Sequence, residues 1–333
     1  MNTKIVYVVS SNEEDMYLEQ AYLSAFSLRK HNPQAYVCLI VDTKTNATLN
    51  GYRAEILKFI DEKIVAEVPS VYNKAQTSRW MKTKVRDYVK GDYLFLDADT
   101  IIADDLSSID DFEGEIGAVI NNHVPVSQYH NRYGENIIKI AAQEGWSLYD
   151  DIKYFNSGIM FFRQSERVYN FCSEWHRIWE EGLIKYHRRQ DQPSLAHVNE
   201  EFGYMIKELP GIWNCQILRY GIPYLAEAKI IHYFSYHIID KEDKLPYAFY
   251  NMDVCKFIRD HGYISDNIAN LIEHPRSAFN NPTRLCSQKE LNLLSSQMAQ
   301  TCLRHPRLLS FMNDCCKIVY LLIRYIRRLK FAR

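Results

Sequence analysis

Residues 93–100 read Tyr-Leu-Phe-Leu-Asp-Ala-Asp-Thr. Four unbroken apolar residues suit a short strand buried on both faces, and the run stops at an Asp-x-Asp pair. In an extended chain, side chains two apart share a side. Asp97 and Asp99 are therefore expected to face one point while Ala98 faces away. In open α/β sheets the ligand site lies at the carboxyl ends of the strands. Two hard oxygen donors placed there suit Mg²⁺ or Mn²⁺ with positions left for phosphate. An Asp-x-Asp standing alone is more readily a strand-end turn with two solvated acids. The apolar run before it, and Ile101-Ile102 after it, favour a functional site.

Outward from this stretch, strand and helix patterns alternate. Short apolar runs at 5–9 (IVYVV), 36–41 (YVCLIV), 63–68 (KIVAEV), 116–120 (IGAVI), 155–162 (FNSGIMFF) and 229–234 (KIIHYF) read as strands. Between the first two, Leu18, Ala21, Tyr22, Ala25 and Leu28 recur at helical spacing. Glu13, Glu14 and Asp15 open that segment, and His31-Asn32-Pro33 closes it. A second helix is predicted over 75–90, with Trp80, Met81, Val85, Tyr88 and Val89 on one side and Gly91-Asp92 as its break. A third carries Val168, Phe171, Cys172, Trp175, Ile178 and Trp179, with Gly182 as its end. Strands alternating with helices imply an α/β domain with a mostly parallel central sheet flanked by helices. After about residue 250 strand patterns vanish. Ser287 and Glu290 have capping-box spacing ahead of Leu291, Leu294, Met298 and Cys302. The expected division is a catalytic domain over 1–250 and a helical C-terminal extension over 251–333.

The bulk numbers set bounds. The 333 residues allow one large domain, or one with an appendage. A hydrophobic content of 47% with 24% charged residues is ordinary for a soluble globular chain. A formal net charge of −1 gives no global electrostatic footprint for nucleic acid. The eight cysteines include no Cys-x-x-Cys pair, and MNTKIVYVVSSNEED lacks a secretory pattern. The chain is read as a cytoplasmic protein of a reducing compartment. No stretch reaches bilayer-spanning length.

A strand followed by D-x-D-x-T also resembles the first motif of haloacid-dehalogenase-like phosphohydrolases, in which Asp97 would be a nucleophile. Such enzymes carry the motif near the chain start and need a later strand ending in paired acids. Asp150-Asp151 follows Trp146-Ser147-Leu148-Tyr149, a poor strand. The long α/β stretch before Asp97 better suits a nucleotide-binding half ahead of a metal motif.

Five ordered blocks together resemble glycosyltransferase family 8, the glycogenin-like and bacterial lipopolysaccharide galactosyltransferase-like enzymes, over roughly residues 4–240. They are VVSSNEEDMYLEQAYLSAFSLRKHNP at 8–33, SRWMKTKVRDYV at 78–89, YLFLDADTII at 93–102, FNSGIMFF at 155–162 with RQDQPSL at 189–195, and KIIHYFS at 229–235. The resemblance implies the GT-A fold and a metal-dependent hexosyltransferase. The donor would be a UDP-sugar, the cofactor Mn²⁺ or Mg²⁺, and the acceptor a glycan or lipid-linked glycan in lipopolysaccharide or capsule biosynthesis.

By the same resemblance, Val9, Ser10, Ser11 and Tyr17 would hold base and ribose, with Tyr17 stacked on uracil or else simply on the helix surface. Arg79 would hold the diphosphate side of the donor. Lys82, one helical turn on, would assist or lie on a solvated face. Asp97, Ala98, Asp99 and His232 would make the metal and phosphate site, although a lone strand histidine is commonly structural. Asn156, Ser157, Gly158, Asp191 and Gln192 would face the donor sugar. FNSG also reads as a β-bulge, and Pro193 as a helix first turn. Where the family continues with a glycine and a lysine, this chain has Ser235 and Ile238, with Lys241 as a substitute. Retention of anomeric configuration is implied. Asp191 and Gln192 are the family-placed candidates for a nucleophile, and a same-face route assisted by the leaving phosphate stands beside them. Acceptor-binding parts are expected in 121–150 and 236–283. A non-catalytic nucleotide-sugar binding protein is the remaining alternative.

The last segment, about 305–330, is basic and amphipathic, with Lys317, Arg324, Arg327, Arg328, Lys330 and the terminal Arg333. It reads as a helix for peripheral contact with the anionic inner face of the cytoplasmic membrane, or as one packed on the catalytic domain with its charges in water.

Overall fold

The computed structural model describes residues 1–128, 132–146, 153–233, 252–279 and 287–331, and within these not the side chains of 132–136, 252, 303, 306 and 322–331. Asp150, Asp151, Ser235, Ile238, Lys241, Cys286 and Arg333 lie outside the described residues, as do the side chains of Arg324, Arg327, Arg328 and Lys330.

The strands are β1 (Lys4–Val9), β2 (Val37–Asp42), β3 (Glu62–Ala66), β4 (Tyr93–Leu96), β5 (Thr100–Ile102), β6 (Ile116–Ile120), β7 (Phe155–Phe162), β8 (Ile206–Glu208), β9 (Cys215–Gln216) and β10 (Ile230–His232). The α-helices up to residue 280 are α1 (Tyr17–His31), α2 (Thr43–Ala47), α3 (Lys74–Thr83), α4 (Val85–Tyr88), α5 (Arg132–Glu144), α6 (Glu166–Tyr186), α7 (Gln192–Glu201), α8 (Met252–His261) and α9 (Asp266–Glu273). Seven strands form one sheet in the order β3-β2-β1-β4-β7-β6-β8. All its pairs are parallel except the two made by β7, which runs against both β4 and β6. A second sheet, β5-β10-β9, is smaller.

The period of two along β1 decides what covers each face. Ile5, Tyr7 and Val9 join the core shared with α1 and the second sheet. Val6 and Val8 join the core built on Trp80, Met81, Trp175 and Trp179 of α3 and α6. Both faces are buried, which is why the strands read as unbroken apolar runs rather than alternating ones. Burial of each such large side chain contributes about 1.5–3 kcal/mol.

Several boundaries differ from the sequence reading. The helix expected over 75–90 breaks at Lys84 into α3 and α4. Its N-terminus is set by Asn73, whose side chain and that of Gln76 form a reciprocal capping box. The core does not stop at residue 250. Ile258, Ile264, Ile268, Ile272 and Phe279 share the α1 core, and Arg259 of α8 pairs with buried Glu19 at 2.9 Å. The compact unit consequently runs through Pro282, with the second unit comprising 130–135 and 283–333. That second unit holds α10 (Gln288–Ser295), α11 (Gln297–Arg304) and α12 (Pro306–Phe331). Ser287 and Glu290 cap α10 reciprocally, as their spacing requires. No helix among the described residues is long and apolar enough to cross a membrane.

Gly182 does not end α6. The helix continues to Tyr186 and is closed by His187 in the left-handed region. The glycine is required by what crosses it: a Cβ there would collide with the Arg188 guanidinium. That guanidinium is buried, pairs with Glu144, and donates to Gln190 O and Ser194 Oγ at 2.7 Å each. It thereby pins the loop that leads into Asp191. Gly182→Ala is expected to destabilise the protein by about 1–3 kcal/mol through overpacking, read as a lower denaturant midpoint with unchanged slope. An unchanged midpoint would show that Arg188 can move aside.

Candidate active site

The site is built at the corner where the chain leaves one sheet for the other. Asp97, Ala98 and Asp99 are the only residues between β4 and β5. They form a bend and not the extended continuation on which the shared-side expectation rested. The two carboxylates nevertheless converge, because the bend is pinned at both ends. Asp97 N donates to Gly158 O of β7 at 2.7 Å, and Tyr233 N, just past β10, donates to Asp99 O at 3.1 Å. Thr100 Oγ1 closes the turn on Asp97 O at 2.9 Å.

β10 runs antiparallel to β5 with His232 opposite Thr100. This register brings His232 Nε2 to 3.3 Å from Asp99 Oδ1. Asp97, Asp99 and His232 each offer a donor atom, all within 4.8 Å of one another. The residue facing them is Gly158. A Cβ there would sit 2.5 Å from His232 Cε1 and 2.7 Å from Asp97 Oδ2. Two hard oxygens, an imidazole nitrogen and a space kept clear by a glycine fit a divalent cation. Electrostatics agree: burial, with Asp99 beside it, holds the Asp97 carboxyl above the usual carboxylate range, although Lys82 pulls the other way. A dication is the charge this pair lacks.

Two cations approach from α3. Lys82 is not the solvated helix residue that a basic stretch suggests. It is buried, with Nζ 3.3 Å from Asp97 Oδ1, 3.2 Å from Ser157 Oγ and 3.7 Å from Asp191 Oδ2. Its ammonium also lies 4.9 Å over the Phe95 ring. Arg79, half-buried, sets Nε 3.0 Å from Asp191 Oδ1. Both oxygens of Asp191 are thus engaged, and Ser157 Oγ donates to Oδ2 at 2.7 Å. Burial alone would raise this carboxyl, but Lys82, Arg79 and Ser157 outweigh it and hold it below the ordinary range.

The structure brings together most of the residues singled out in the sequence. Tyr17 opens α1 with its ring exposed. The Val9 side chain is in the core, so its backbone is what faces the strand end. Ser10 is buried. Ser11 is absorbed by its own loop: Oγ donates to Asp15 Oδ1 at 2.6 Å, and N donates to Thr45 Oγ1 at 2.8 Å. Gln192 Nε2 donates to Phe155 O at 3.0 Å. Asn156 Oδ1 accepts from Gly158 N and from Asn214 Nδ2, both at 2.9 Å. Asn214, and the Lys74–Asp15 pair at 2.5 Å that ties α3 to the 11–16 loop, were not foreseen. Their partners are far apart in the chain, and neither residue type nor local spacing distinguishes them.

The model of the family described as Glycosyl transferase family 8 matches residues 8–237. The chain belongs to this family. A search of the curated proteins finds no match. Among solved structures, this transferase is similar to the galactosyltransferase LgtC in complex with donor and acceptor sugar analogs. The identity is 15%, over 80% of this chain and 99% of that one, with a TM-score of 0.51. It also matches mouse xyloside xylosyltransferase 1 at 14% identity, over 70% of this chain and 97% of that one, with a TM-score of 0.45. GlyE of Streptococcus pneumoniae matches at 15% identity, over 85% of this chain and 66% of that one, with a TM-score of 0.47. The protein is a glycosyltransferase of the GT-A fold, with a mostly parallel central sheet and a helical C-terminal region. The phosphohydrolase and pure-binder readings of Asp97 are not favoured by these findings.

Gly158→Ala fills the space between the three donors. It is expected to weaken Mn²⁺ binding at least about tenfold, measured by the free-ion electron paramagnetic resonance signal, with an unchanged circular dichroism spectrum. Wild-type affinity in the folded variant would remove the metal from this position.

Proposed function

We propose that this transferase moves a hexose from a UDP-sugar to a glycan acceptor, with a divalent ion held by Asp97, Asp99 and His232. One observation carries the reading. Three metal-type donors and two cations, Arg79 and Lys82, converge at the carboxyl end of β4, where an α/β sheet presents its ligands. A lone cation site needs no such pair of basic residues; a diphosphate beside a cation does. A divalent ion at this position, Mn²⁺ or Mg²⁺, supplies Lewis acidity toward the departing diphosphate.

Arg79 and Lys82 add fixed positive charge where negative charge develops, already oriented by Asp191. Lys82 is a buried ammonium whose hydrogen-bond partners are protein oxygens, so it is set before any donor arrives. The exposed Tyr17 ring offers a flat face for the base. The backbone of Val9, Ser10 and Ser11 lies at the end of β1, in line with the nucleotide half of the site. Asn156, Ser157, Gly158 and Gln192 come from β7 and the start of α7, and are assigned to the sugar side.

For retention we favour the same-face route. A nucleophilic carboxylate must have an oxygen available to the anomeric carbon. Asp191 commits one oxygen to Arg79 and the other to Ser157 and Lys82, and is only 4% exposed. It serves better as the anchor of the two cations. The acceptor is assigned to a cell-surface glycan, lipid-linked in lipopolysaccharide or capsule assembly. The basic run at the end of α12 is assigned to peripheral contact with anionic lipid on the cytoplasmic face of the membrane.

UDP release should occur with one member of a panel of UDP-sugars, require Mn²⁺ or Mg²⁺, and fall at least about a hundredfold in Asp99→Ala and in Lys82→Met. Calorimetric titration that finds no UDP binding in the presence of metal would exclude UDP as the donor nucleotide. The protein should sediment with phosphatidylglycerol vesicles at low salt and be released at high salt. Failure to sediment, or loss of residues 305–333 without effect on sedimentation, would exclude the membrane role of α12.

A further inference from the structure

Behind His232 lies a chain of buried amides whose orientation the Gly158 backbone fixes. Gly158 N reaches Asn156 Oδ1 at 2.9 Å. A backbone N–H only donates, so that atom is the amide oxygen. Asn214 approaches the same oxygen at 2.9 Å, and must present its nitrogen, Nδ2, there. Its other end, Oδ1, then faces His232 Nδ1 at 3.2 Å. An amide oxygen only accepts, so Nδ1 carries the proton. In the neutral ring Nε2, on the opposite edge and 3.3 Å from Asp99 Oδ1, then holds the lone pair on the side of Asp97 and Asp99. At the far end, Asn156 Nδ2 donates to Asn121 Oδ1 at 2.9 Å.

Nothing in this chain can reverse without setting donor against donor and acceptor against acceptor. His232 is 2% exposed, Asn214 0%, Asn156 4% and Asn121 3%, so water does not offer an alternative partner. The backbone fixes the positions as firmly as the amides fix the polarity. β9 pairs parallel with β10, with Cys215 opposite Ile231 and Gln216 opposite His232, which delivers Asn214 to the back of the imidazole.

We propose that Asn214, oriented by Asn156 and the Gly158 backbone, is the positioning residue of the metal centre. It holds His232 as the Nδ1–H tautomer and aims Nε2 at a divalent cation shared with Asp97 and Asp99. This rests on the metal-site reading above. It adds that the glycine and the asparagine of the FNSG segment set the polarity of a relay whose output is one imidazole lone pair.

The test uses the whole protein labelled with ¹⁵N-histidine and stripped of metal at pH 8.5. The His232 ring signals are identified by their loss in His232→Gln. Long-range ¹H–¹⁵N spectra are expected to show a protonated Nδ1 and an unprotonated Nε2. Added Cd²⁺, a diamagnetic stand-in, should shift Nε2 and leave the Nδ1 proton in place. A proton on Nε2, or Cd²⁺ on Nδ1, overturns the proposal. No shift at either nitrogen takes His232 out of the metal site and overturns it as well. Loss of donor turnover with the tautomer and the Cd²⁺ shift intact would instead strike only the donor reading. As a variant, Asn214→Leu should bind Mn²⁺ about 10–100-fold more weakly. Unchanged affinity in the folded variant overturns the relay, and if the variant does not fold, the wild-type spectra decide.

Discussion

The site depends on one constraint, the three-residue corner between β4 and β5. The chain has to pass from the seven-stranded sheet into the three-stranded one within Asp97, Ala98 and Asp99. The backbone bonds from Asp97 N to Gly158 O and from Tyr233 N to Asp99 O fix both exits. A corner this short forces two carboxylates toward one point, where like charges disfavour ionisation of both. Burial, with the Asp99 charge adding to it, displaces the Asp97 carboxyl upward. Lys82, with Nζ 3.3 Å from Asp97 Oδ1, offsets part of that displacement.

Charge around the corner alternates in sign. Asp97 meets Lys82, Lys82 meets Asp191, and Asp191 meets Arg79. A buried ammonium such as Lys82 would be costly without partners, and removing one partner of such a group leaves the rest uncompensated. The alternation also preorganises the two cations that a diphosphate would meet, so little reorganisation is left for the moment of reaction. Asp191 is consequently better understood through what it holds than through what it could attack. Arg188, threaded over Gly182, holds the neighbouring Gln190 carbonyl and so steadies the loop that presents Asp191.

The amide chain from Asn121 through Asn156 and Asn214 to His232 is the neutral counterpart of this charged array. On the function proposed above, the charged residues would set where a diphosphate is held, and the amides would set which ring nitrogen faces the cation. Both meet at Gly158, whose N–H starts the amide polarity, whose carbonyl pins Asp97, and whose missing side chain leaves the centre open.

Much of this was legible in the chain. Unbroken apolar runs such as IVYVV and YLFL identify strands covered on both faces, since a strand with one face in water alternates apolar and polar residues. The five ordered blocks, with Asp97, Asp99, Arg79, Asp191 and His232 in place, lead to the family and to the enzyme class. Sequence also carried the caps, as Ser287 with Glu290 shows, because capping is chemistry between residues three apart. It could not show that Gly182 lies inside α6, because a glycine that ends a helix and one that admits Arg188 look alike. Nor could it separate buried Lys82 from the partly exposed Lys84, or mark Asn214, or carry the core past residue 250 to α8 and α9. Each of those depends on partners brought from distant strands by sheet order and register. A local pattern records what a residue can do, and the tertiary structure decides which charge, amide or backbone group it meets.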